Sequence, residues 1–119
     1  MLLINTSGVT MSFDSGLEIS IIDGEAPDLR TLKGKILEQL DRDRIHHDVY
    51  EDIVETFLKR RGHFRVHSVY LLHLMDALAP MFPDVQFDAR GLGEEFRHTW
   101  VAEYRDGRRV FTQGPWDYE

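Results

Sequence analysis

The chain has 119 residues, 42% apolar and 29% charged, a balance that suits one globular core and excludes the apolar-poor composition of a disordered chain. It has no cysteine, which excludes disulfides, iron–sulfur clusters, thiolate zinc sites and a cysteine nucleophile. Twenty-one acidic against fourteen basic residues give a net charge of −7, which disfavours duplex binding by phosphate neutralisation and favours solubility or a basic partner.

At the start of the chain, Val9, Met11 and Phe13 alternate with polar residues, as do Leu17, Ile19 and Ile21. Period two predicts two half-buried strands, and Asp14-Ser15-Gly16 between them has the composition of a hairpin loop. Leu2 to Ile4 would add an edge strand. Leu29, Leu32, Ile36 and Leu40 then recur at helical spacing, so a first helix is expected from about Pro27. The apolar stripe loses phase around residues 41 to 45, which predicts a break with Asp41 as N-cap and Leu40 and Ile45 as a hydrophobic staple. A second helix carries Val49, Ile53, Val54 and Phe57 inward and ends at Gly62 as C′ residue. A third, capped by Ser68 and running to Pro80, is apolar on nearly every side and is expected at the centre of the fold.

The C-terminal third returns to strands. Val85, Phe87 and Ala89 alternate, Gly91-Leu92-Gly93 is read as a turn, and Phe96 to Tyr104 alternate again. Asp106-Gly107 predicts a type I′ hairpin, with Tyr104 opposite Arg109 and Ala102 opposite Phe111, and with Phe96, Trp100 and Phe111 buried against the helices. The expected fold is therefore one α+β domain over residues 1 to 119. It has an antiparallel sheet of about five strands in ββ-ααα-βββ order, with three helices packed mainly on one face.

Six histidines raise the question of a metal. His63-x-x-x-His67 has zinc-like spacing, but Gly62 and Ser68 place it in a connector and Phe64 stands where a metalloprotease glutamate would be, so no metal and no cofactor are expected. His46 projects onto the apolar side of the second helix, and His47 is four residues from Glu51, a local pair. His73 and Asp76 share a helix face, and an aspartate that orients a histidine is how a general base is built. His98 falls on the inner strand face, so His73, Asp76 and His98 together form the candidate catalytic group of a small hydrolase or isomerase, with its pocket between the central helix and the C-terminal sheet. A core hydrogen bond or a narrow solvent stripe explains the same residues without catalysis.

Two surfaces are candidates for binding. Arg97, Arg105 and Arg108 join Trp116 on the C-terminal hairpin, a mixture of the kind single-stranded nucleic-acid sites use, although arginines also guard solvated strand edges. Asp48, Glu51, Asp52 and Glu55 form an acidic helix face suited to a basic protein. No stretch approaches the ~20 apolar residues of a membrane span, and the first residues lack a signal peptide's basic and apolar regions, so a cytoplasmic protein without membrane contact is expected. The leading functional expectation is a small bacterial-type, non-catalytic protein-binding protein, such as an inhibitor, immunity factor or adaptor, that meets a protein partner or a second copy of itself. Nucleic acid is not expected as a partner.

Overall fold

The structure, a computed structural model, describes residues 14–95 and 98–115. The predicted strands at Leu2 to Ile4 and Val9 to Phe13, together with Phe96, Arg97 and Trp116, lie outside the described residues.

The described elements are β1 (Ser15–Asp23), α1 (Lys33–Arg42), α2 (Val49–Lys59), β2 (Arg61–Phe64), α3 (Ser68–Leu78), a 3₁₀ turn (Ala79–Met81), β3 (Gln86–Leu92), β4 (Trp100–Arg105) and β5 (Arg108–Gln113). They form an α+β fold whose single antiparallel sheet has the order β2-β1-β3-β4-β5. The helices pack on the sheet, α2 against β1 and β2 and α3 against β1 and β3.

The chain order departs from ββ-ααα-βββ because one strand forms between helices. Residues 61 to 64 are too short and too polar to announce a strand, yet they pair with Ser15 to Glu18 on the edge of β1 that β3 leaves free. The expected hairpin loop at Asp14-Ser15-Gly16 is corrected by the same pairing, since Ser15 and Gly16 are already strand. Gly62 is likewise strand and not a helix cap. Its Cα lies so close to Thr56 on α2 that a Cβ would overlap the threonine side chain. The left-handed residue that ends α2 is Arg60, at φ 73°, with its N–H bonded to the Thr56 carbonyl.

The first helix starts later than its stripe and continues through Asp41, the expected N-cap of the second. Leu40 and Ile45 do meet, but at a helix end: Ile45 N–H bonds the Leu40 carbonyl at 2.8 Å and Arg44 N–H bonds that of Asp41 at 3.1 Å. With Arg44 at φ 59°, this is a Schellman closure of α1. Helix α3 is not fully enclosed either. Leu71, Leu72, Leu74, Met75 and Leu78 are buried, whereas Val69, Tyr70 and His73 face solvent.

The inner sheet face follows the period-two expectation. Leu17, Ile19, Phe87, Ala89, Trp100, Ala102 and Tyr104 are all buried, and Phe87 stacks on Tyr104 with ring centroids 4.8 Å apart. Trp100 pairs with Gly91, where a Cβ would overlap the indole. Gly91-Leu92 is therefore strand and not a turn; the missing side chain makes room for the ring. Asp106 and Gly107 have φ 54° and 83°, the two positive values of a type I′ turn, and Tyr104 does pair with Arg109. A bulge then intervenes. Phe111 pairs with Glu103 instead of Ala102, which corrects its expected burial: it lies on the open face, 47% exposed.

Candidate functional site

The three candidate catalytic residues are not brought together. Asp76 accepts the Tyr104 hydroxyl at 2.7 Å and meets Arg109 Nε at 3.2 Å, because Arg109 lies before the bulge and pairs with inward-facing Tyr104. Burial, more than the Asp76 bond, pushes the Tyr104 phenol well above the usual tyrosine range. That group ties α3 to the hairpin. His73 faces solvent, and His98 sits at the other end of the helix, where Ser68 Oγ donates to its carbonyl. Ser68 and Asp76 are eight residues apart, about 12 Å along a helix axis.

The candidate hairpin arginines also separate. Arg108 is exposed, but Arg105 is half-buried, donates to the carbonyls of Tyr104 and Phe87 at 2.9 and 3.2 Å, and lies 3.0 Å from Asp88 Oδ1. Its guanidinium is occupied by the fold and only partly faces solvent. The acidic face of α2 is in place. Glu51 pairs with Arg30 at 3.5 Å and Glu55 with Lys59 at 2.8 Å, whereas burial, followed by the charges of Glu55 and Asp48, raises the Asp52 carboxyl above the usual range.

Beside this face runs an open groove of about 920 Å³. Its lining comes from the α1–α2 connection, the first turns of α2, and the segment from β2 into α3. Asp48 and Asp52 stand on the α2 side, Arg65 and His67 opposite, and Ile45, Val49, Val66 and Tyr70 supply apolar surface. Tyr70 is 55% exposed, a large aromatic facing water. Three histidines border the groove. His46 is exposed, not packed, and its Nδ1 accepts the Asp48 N–H at 3.1 Å. His63 pairs with Asp14 at 2.9 Å, and His67 caps α3. His47, just outside, pairs with Asp41 at 2.7 Å and not with Glu51. Among the described residues no three His, Asp or Glu side chains converge as a metal site.

Arg65, Val66 and Tyr70 are among the groove residues that the pattern of the sequence does not single out. Tyr70 carried one signal, a bulky polar-tipped ring in the first turn of an otherwise aliphatic helix. A second, smaller cleft of about 350 Å³ lies on the open sheet face between Glu18, Asp88, Arg90, Val101, Glu103 and Phe111. Arg90 bonds Glu18 across it. Neither cleft includes His73, Asp76 or His98. Among the described residues no helix is long and apolar enough to cross a membrane. Comparison with protein families, curated proteins and solved structures finds no match for this chain.

Proposed function

We propose that this chain is a non-catalytic protein-binding protein, an inhibitor, immunity factor or adaptor, and that its groove receives a segment of the partner. The observation that carries this reading is the groove itself, which joins exposed Tyr70 and the apolar surface of Ile45 and Val66 to an acidic wall. An aromatic within a mixed polar and apolar concavity is the usual composition of an interface centre. After burial, Asp52 feels its acidic neighbours Glu55 and Asp48 more than the opposing charge of His63. A lysine or arginine brought beside it would relieve that repulsion. The fitting partner segment presents an apolar side chain to Tyr70 and a cation to Asp48 and Asp52, in line with the net charge of −7. The absence of cysteine suits action in the reducing cytoplasm.

Affinity capture from host lysate, followed by titration of the purified partner, tests the reading. The double variant Asp48→Lys/Asp52→Lys and Tyr70→Ala should each weaken binding by about tenfold or more, the scale of a lost interface anchor. Arg108→Ala, on the distant hairpin, should bind as the parent does. Loss of binding only in Arg108→Ala would move the site to the hairpin, and turnover of a small substrate with no stoichiometric partner would overturn the proposal.

A further inference from the structure

Helix α3 is capped by a histidine. His67 has the extended backbone of an N-cap (φ −62°, ψ 142°), and its Nδ1 accepts the Val69 N–H at 3.1 Å. A nitrogen that accepts carries no proton, so this cap exists only for the neutral ring with its hydrogen on Nε2. The His67 ring also lies against that of His98, with centroids 4.4 Å apart and planes inclined by 60°. Beside them Ser68 Oγ donates to the His98 carbonyl at 2.5 Å, and Trp100 Nε1 donates to the Ser68 carbonyl at 2.8 Å. The first turn of α3 and the segment entering β4 are thus clasped at one point.

The charges facing His67 come from several elements. Burial first, then His98, holds its imidazole below the ordinary histidine range, against the opposing pull of Glu94 and Glu95 after β3. Arg65 adjoins it in the groove lining, to which His46, His63, Asp48 and Asp52 also belong.

We propose that His67 and His98 form an acid-sensitive latch, which holds the first turn of α3 against His98 at the entry to β4 when His67 is neutral and releases it on protonation. A proton on Nδ1 removes the acceptor for Val69. It also sets a positive charge at the positive end of the helix dipole and against His98. Because the folded-state affinity of His67 for a proton is lowered, the unfolded chain takes the proton more readily. The stabilisation is full above the ordinary value of 6.5 and is lost as pH falls through the lower, folded value. The latch stands on its own contacts. Only its consequence for a partner in the groove rests on the binding reading.

Amide exchange at Val69 and Tyr70, followed by NMR from about pH 7.5 to about pH 5 and corrected for intrinsic rates, tests the latch without any partner. The parent should open roughly tenfold more at the acid end, the scale of a lost N-cap. His67→Asn caps at every pH in this window and should change less than about twofold. Equal protection at both ends in the parent, or equal acid sensitivity in His67→Asn, would overturn the proposal. If that variant does not fold, the His67 ring titration in the parent decides: a midpoint at or above that of an unfolded histidine reference refutes the latch.

Discussion

The helix-covered and open faces of the sheet share the same strands, but aromatic rings on them have opposite fates. Trp100 begins β4 on the covered face, fully buried over Gly91 and bonded to the Ser68 carbonyl. Phe111, which strict alternation from Asp106-Gly107 would put on that face, lies on the open one among Glu18, Arg90 and Glu103. One extra residue in the ladder separates them. The bulge turns Phe111 outward while Arg109, before it, still points to Asp76 on α3. Alternation therefore reports burial only as far as the register is unbroken, and a bulge resets it for every residue that follows.

Substitutions on the two faces would break or sharpen this contrast. Trp100→Ala should cost about 3–5 kcal/mol by chemical denaturation, as deletion of a fully packed large aromatic does. A stable Trp100→Ala protein would refute the covered face as the core. Arg105→Ala should cost about 1–2 kcal/mol, because two buried-side carbonyl bonds and the contact with Asp88 go with it. A value no larger than that of Arg108→Ala would show that those bonds merely replace water. Phe111→Ser should change stability by no more than about 0.5 kcal/mol, the range of an unspecialised surface position. A loss like that of Trp100→Ala would mean that the bulge is absent in solution and that Phe111 faces the helices.

The same logic separates what could be read of the candidate site from what could not. The acidic face of α2 was legible because Asp48, Glu51, Asp52 and Glu55 follow helical spacing, a local property. The groove beside it was not, since its opposite wall comes from Arg65, Val66, His67 and Tyr70, brought there by the pairing of β2 with β1. The candidate catalytic residues His73, Asp76 and His98 lie apart for a related reason. Sharing a helix face makes His73 and Asp76 neighbours, but Tyr104 and Arg109 from the sheet reach Asp76 first.

Local chemistry alone determined the α+β class, the amphipathic helices, the inner residues of β1, β3 and β4, and the type I′ turn at Asp106-Gly107. Each depends on side-chain period or on a backbone preference within a few residues. Tertiary structure decided the rest. Arg61 to Phe64 became a strand because β1 offered them an open edge, and Gly91 was kept bare by an indole from the next strand. These outcomes turn on contacts between residues distant in the chain, where the free energy gained on packing outweighs local preference and leaves no periodic trace in the sequence.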